Sequence, residues 1–281
     1  MQRFVPALCL AVLLIGAAVP PGAAGQDRLP APIPRDRGQS VTASFEGWYP
    51  EADGSRVLVF GYFNRNYEER LDIPVGPDNR FDPGPADRGQ PTHFLPRRQT
   101  GVFGVRVPAD FGDRRLTWIL RAHGAEIAIP GHLDAGWEIT ALDEVTSGNT
   151  PPVLRLGGPD GEPGQGPFGV HGVPTTAAVG APTPVVVWAA DDGVRKARAA
   201  ERPPRFGLLW SKYRGPGEVT FAERDPAVGS DGRAETAATF SAPGDYVLRV
   251  LAWDDSGGQA AVMAGGFFCC WTNAFLPVQV R

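Results

Sequence analysis

Two pairs of adjacent acids, Asp191-Asp192 and Asp254-Asp255, concentrate the metal-ligating chemistry of this chain. Each pair ends a strand-like run. In a seven-strand antiparallel sandwich the second and sixth strands run the same way, so the loops after them leave at one pole. Four carboxylates gathered there would offer oxygen to Ca²⁺, which takes about six to eight oxygen ligands. The spacing matches no EF-hand loop, and Asp and Gly are ordinary where strands end. Calcium is therefore one reading of these acids, and solubilising turn residues are the other.

The same pole would carry Phe267, Phe268, Cys269, Cys270 and Trp271, beside the cations Arg195 and Lys196. An apolar loop flanked by positive charge reads as a binding surface for an envelope or extracellular protein or glycan. The competing reading folds the loop back and buries its rings. Of three cysteines, Cys9 sits in an apolar N-terminal run, which leaves Cys269 and Cys270. In an oxidising compartment they pair with each other as a vicinal disulfide or with another chain; otherwise they pack as small apolar thiols. In residues 76–99, Asp78, Asn79, Asp82, Asp87, His93, Arg97 and Arg98 suit metal, carbohydrate or protein contacts, and nothing selects among them. There is no G-x-S-x-G elbow, no H-E-x-x-H and no P-loop. His93, His123, His132 and His171 show no metal-ligand spacing. Paired carboxylates for glycosidic cleavage need no local motif, so a secreted hydrolase stays in view as a lesser alternative.

These groups must be held by strands. The chain has 281 residues, 42% hydrophobic and 21% charged, enough to bury a core. Its 36 glycines and 29 prolines break helices and fill turns, favouring many short strands. A net charge of −4 provides no general basic field for nucleic acid. Arg3 precedes the apolar run from Val5 to Val19, which is too short for a span of about 20 residues. Gly22-Ala23-Ala24-Gly25 then suits a signal peptidase, so residues 1–25 read as a signal peptide and the mature chain as exported, periplasmic or extracellular, without a membrane span. Residues 26–39 read as an extended leader. Strand patterns at 41–49, 56–63, 69–75, 101–107, 115–122, 125–130 and 136–142 make residues 40–142 an Ig-like sandwich, with 76–99 irregular. Residues 143–150 read as a linker.

A second series covers 151–281, with strands near 152–156, 183–190, 205–213, 217–222, 234–241, 244–253 and 274–280; only 193–201 has any helical character. Asn149-Thr150-Pro151-Pro152-Val153, Ala189-Ala190-Asp191-Asp192-Gly193, Leu209-Trp210-Ser211-Lys212, Gly215-Pro216-Gly217 and the run from Thr239 to Val250 occur in order. This half resembles a PKD-type Ig-like domain, a module of surface and secreted proteins. Tyr246, after Pro243-Gly244, suits a tyrosine corner, and Trp210 with Phe206 and Leu208 at period two suits the core. The Gly/Pro-rich insertion 157–174 and the long stretch 254–273 depart from the pattern.

The expected architecture is all-β, with two Ig-like β-sandwich domains in tandem after a signal peptide. The expected role is an exported, non-catalytic binding or adhesion module acting through loop tips on protein or glycan. A structural envelope spacer is the alternative. No cofactor is called for beyond the Ca²⁺ reading.

Overall fold

A computed structural model of the chain describes residues 35–145, 147–194, 206–254 and 269–281. The expected signal peptide lies outside these residues. So do Arg195, Lys196, Asp255, Phe267 and Phe268, and all of the 193–201 stretch from residue 195 onward. Among the described residues no helix is long and apolar enough to cross a membrane.

The first half holds β1 (Val41–Pro50), β2 (Arg56–Asn64), β3 (Leu71–Asp72), β4 (Asn79–Asp82), β5 (His93–Phe94), β6 (Arg97–Val107), β7 (Leu116–Ala122) and β8 (Ala125–Gly131). Sheet β1-β2-β6 faces sheet β4-β7-β8, and β3 pairs with β5. In Ig terms these sheets are A-B-E and C-F-G. The run Val57-Leu58-Val59-Phe60 in β2 is buried on both faces. Leu58 and Phe60 enter the core between the sheets, while Val57 and Val59 pack outward beneath Ile139, Leu142 and Phe168. A strand covered on both sides reads as a continuous apolar run instead of an alternation.

The second half holds β9 (Val153–Arg155), β10 (Pro163–Gly164), β11 (Val170–His171), β12 (Thr175–Ala177), β13 (Thr183–Ala190), β14 (Gly207–Arg214), β15 (Val219–Phe221), β16 (Arg233–Phe240), β17 (Gly244–Trp253) and β18 (Trp271–Val280). Sheet β10-β9-β13-β16-β15 faces β11-β18-β17-β14, with β12 also along β18. Strands β9, β13, β16 and β15 take the A-B-E-D order and β14, β17 and β18 the C-F-G order of an Ig sandwich. Trp210, Tyr246, Leu248 and Val250 fill its core. The Tyr246 hydroxyl donates to the Ala242 carbonyl at 2.9 Å and accepts from the Gly217 amide at 2.9 Å, which is a tyrosine corner.

Two expectations need correction. Residues 136–142 are not a strand: Ala135–Trp137 form a 3-10 turn, and the chain then touches β1 through the Ile139 amide on the Trp48 carbonyl. Residues 76–99 are not an irregular solvated loop. Asn79 is fully buried, donates to the Ile73 and Pro91 carbonyls at 2.9 and 2.8 Å, and accepts from Trp118 Nε1 at 2.9 Å. That side chain satisfies the buried backbone around it and pins the segment to the core. Within residues 143–150, Glu144 and Asn149 are buried.

Residues Pro34–Arg281 form one compact unit, and polar side chains close the seam between the sandwiches. Asn273 Nδ2 donates to the carbonyls of Gly101 (2.8 Å), Val102 (3.3 Å) and Pro167 (2.7 Å), while its Oδ1 accepts from Arg249 Nε at 2.9 Å. The Tyr213 hydroxyl donates to the Gly89 carbonyl at 2.6 Å. Arg214 forks onto both oxygens of Asp87 at 2.9 and 2.7 Å. The 157–174 insertion is a strap across this seam: Phe168 lies under the Arg106 guanidinium, and its amide donates to the Tyr49 hydroxyl.

Candidate functional site

At the expected pole, Asn149 and Thr150 bond to one acid of each pair, Asp254 and Asp192. Asn149 Nδ2 donates to Asp254 at 2.6 Å, and the Thr150 amide and hydroxyl both donate to Asp192 at 2.9 Å. Asp191 accepts from the Gly193 amide at 3.1 Å. Among the described residues no group of three or more acid, imidazole or thiol side chains is placed to hold a metal ion. Asp191, Asp192 and Asp254 serve as hydrogen-bond acceptors for the turns and the 149–150 segment.

Cys269, Cys270 and Trp271 do not form an exposed tip. All three are buried, and the two cysteines are joined through their sulfurs. Trp271 opens β18, its indole lies against Gly101, and its Nε1 donates to the Gly101 carbonyl at 3.3 Å. Gly101 has φ +54°, a conformation that favours glycine. Its missing side chain is the space the indole occupies. These residues hold the seam.

The site that pattern reading missed lies on the neighbouring β1. The β1–β2 register passes from Phe45↔Phe60 to Gly47↔Val59, leaving Glu46 as an extra residue. The β2–β6 register passes from Phe60↔Phe103 to Tyr62↔Gln99, setting Gly61 against residues 100–102. Bulges re-aim side chains, and these two coincide. Glu46 Oε1 accepts from Ser44 Oγ at 3.0 Å and Arg98 Nη2 at 2.7 Å, and its Oε2 accepts from the Gly101 amide. A Cβ on Gly61 would overlap the Glu46 carboxyl group, so glycine is required there. Burial pushes the Glu46 carboxyl above its ordinary range, and the Arg98 charge and the Gly101 and Ser44 bonds only partly offset it.

Beside this carboxylate is a cavity of about 480 Å³ with a floor of Phe45, Glu46 and Thr100 and a rim that includes Arg98, Trp137 and Glu138. Glu46 is 5% exposed and Thr100 3%. Among the described residues the Thr100 hydroxyl has no hydrogen-bond partner. Trp137 is 48% exposed and belongs to a three-ring cluster with Phe45 and His132, with centroids 4.8–5.5 Å apart. The site thus combines an exposed aromatic face and a part-exposed guanidinium with a carboxylate and an unpartnered hydroxyl buried in its floor. Its sequence signal was an acid followed by glycine inside the apolar run of β1, with glycines at 61 and 101 in the paired strands.

Two of the three acids of 76–99 are engaged elsewhere. Asp87 is paired with Arg214, and Asp78 lies 3.6 Å from Arg121. His93 is buried at the seam, with Nδ1 at 2.9 Å from Asp72. Arg97 sits over the Tyr67 ring. Of the residues named in that stretch, Arg98 is the one that reaches the Glu46 cavity.

The strand orders define the class: a tandem of Ig-type sandwiches. No protein-family model matches the chain, and no curated protein matches it. Among solved structures it is similar to the D0-D1 domain of Intimin, at 9% identity over 85% of this chain and 97% of that one, with a TM-score of 0.24. It is also similar to the fibronectin(III)-like modules of Clostridium thermocellum CbhA, at 11% identity over 86% and 94%, TM-score 0.24. A third likeness is to domains 4 and 5 of the S-layer protein SbsC, at 12% identity over 86% and 98%, TM-score 0.23. The fold assignment rests on the strand pairing described above.

Proposed function

We propose that this chain is an exported, non-catalytic binding module, its second half of PKD type, that takes a sugar ring of a glycan into the Glu46 cavity. The observation that carries this reading is the Thr100 hydroxyl, buried and without a partner beside the Glu46 carboxylate and Arg98. A buried polar group left unpaired costs about 1–3 kcal/mol, and a bound hydroxyl would supply the missing bond. Trp137 gives the apolar face on which a pyranose stacks, and carboxylate and guanidinium accept and donate to ring hydroxyls. A cavity of this size is within the usual range for small-ligand sites.

The test is tryptophan-fluorescence titration of the mature chain with a panel of neutral oligosaccharides. Saturable change is expected with at least one, weakened at least tenfold by Trp137→Ala and by Thr100→Val at unchanged fold. No saturable response to any glycan, or full binding by Trp137→Ala, would overturn the reading. The second reading, a rigid envelope spacer, is favoured by the polar seam that locks the sandwiches. It predicts no glycan response and self-association of the purified chain in sedimentation.

A further inference from the structure

A second concavity lies on the seam itself, remote in sequence from the bulge. It holds about 260 Å³ and is lined by Arg70, His93 and Leu95 from the first sandwich and by Lys212, Phe221 and Arg224, among others, from the second. Neither sandwich alone makes it.

The charges in this cleft are unbalanced. Lys212 and His93 are both buried and share one carboxylate oxygen, Asp72 Oδ1, at 3.0 and 2.9 Å. Burial pushes the Asp72 carboxyl up, but the bonds and charges of His93 and Lys212 outweigh it and hold it below its ordinary value. That carboxylate is committed at the base. Among the described residues neither Arg70 nor Arg224 has an ion-pair partner within 4.0 Å. Among the described residues Glu218 is the only acid in the lining, and it makes no ion pair with either arginine. The position of Arg224 is fixed from β14: the Trp210 amide donates to its carbonyl at 2.7 Å, and its own Nε donates to the Trp210 carbonyl at 3.3 Å. Partial burial, and then the field of Arg70, lower the affinity of Arg224 for its proton, and the neighbouring Asp225 charge offsets part of this. Two guanidiniums thus line one cleft, in a chain whose net charge is −4.

Guanidinium forks match the planar oxygens of carboxylate and phosphate. The walls contributed by Leu95, Val219 and Phe221 are apolar, so their side chains bring no competing hydrogen-bonding group beside the two exposed guanidiniums. The volume is below the lower end of about 300 Å³ usual for a whole small ligand. It therefore fits a headgroup.

We infer that the seam cleft is an oxyanion-binding site in which Arg70 and Arg224 clamp the carboxylate or phosphate group of an anionic ligand, with Lys212 beneath. Because both sandwiches build it, an anion there also braces the seam. The site is independent of the Glu46 cavity, and neither reading needs the other.

The experiment is calorimetric titration of the mature chain with D-glucuronate, inorganic phosphate and neutral glucose at one fixed ionic strength, with melting temperature followed in parallel. Wild type is expected to bind glucuronate or phosphate saturably, to melt higher with that anion than with chloride, and to ignore glucose. The tighter of the two anions identifies the headgroup as carboxylate or phosphate. Arg70→Ala and Arg224→Ala are expected to weaken binding about tenfold each, and Arg70→Lys less than Arg70→Ala. Both arginines are solvent-exposed, so the unliganded variants should melt with wild type. A variant that melts lower is replaced by Arg224→Gln, judged by the same criterion. No saturable binding of either anion, a response equal to that of chloride, or undiminished binding by the Arg70→Ala/Arg224→Ala double variant would overturn the assignment.

Discussion

Asn273→Ala tests the seam directly. Asn273 is fully buried and serves four groups at once. After truncation the Gly101 carbonyl keeps the Trp271 indole as a donor, and the Val102 bond at 3.3 Å was the longest of the set. The full cost falls on the Pro167 carbonyl and on Arg249 Nε, whose guanidinium is buried. A buried neutral group left unpaired costs about 1–3 kcal/mol, and a charged one sits at the upper end or above. The sum is a loss of about 3–5 kcal/mol, a large share of the 5–15 kcal/mol typical of a folded protein. Urea unfolding followed by tryptophan fluorescence should show a lower midpoint. Because the lost bonds join the two sandwiches, the single transition should also broaden or split. Asn273→Asp keeps an acceptor for Arg249 but turns a carboxylate toward three carbonyl oxygens, so it should destabilise as well. If Asn273→Ala lies within about 1 kcal/mol of wild type with one unchanged transition, the seam is not held by this residue.

Other consequences are equally open to measurement. Tyr246→Phe removes both corner bonds and should cost about 1–3 kcal/mol in chemical denaturation; no change would show the corner to be incidental. Glu46 has a raised folded-state pKa, so its ionisation weighs against the fold as pH rises from the ordinary value of 4.5 through the folded one. Glu46→Gln escapes this, and its melting temperature relative to wild type should climb between pH 4.5 and 7; a constant difference would refute the argument. Asp87 is held below its ordinary range chiefly by the Arg214 bond. Its contribution is present above the ordinary carboxylate range and is lost as pH falls through the folded value, so Arg214→Ala should flatten the acid limb of a stability profile. The exported protein should be two hydrogens lighter than its fully reduced form by intact mass; two alkylatable thiols under native conditions would contradict the Cys269–Cys270 bond.

Most of the second sandwich was legible because its strands are covered on one face. The alternation through Leu208 and Trp210, or through Tyr246, Leu248 and Val250, gives strand, face and core together. The limits 183–190 and 244–253 match β13 and β17. The first half was harder where local pattern yields to long-range bonding. Nothing next to Asn79 in sequence announces that its amide will bridge Ile73 and Pro91 while accepting from Trp118. Trp271 looked like a loop aromatic because the space it fills is a glycine 170 residues away. The Glu46 cavity was invisible as a site because a bulge is a relation between strands. An acid in an apolar run marks an anomaly without saying which way the side chain turns.

The reach of β18 into the first sandwich bears on the order of events during synthesis. The indole that occupies the space over Gly101 comes 170 residues later in the chain, and the amide serving the Gly101 and Val102 carbonyls comes 171–172 residues later. Contacts of such separation are closed late, because the loop between them must be gathered first. The N-terminal sandwich can pair its strands as soon as it emerges, yet the bulge that shapes the Glu46 cavity lacks its outer support until the C-terminal strand arrives. A chain delivered from its N-terminus therefore acquires its frame early and its finished cavity last.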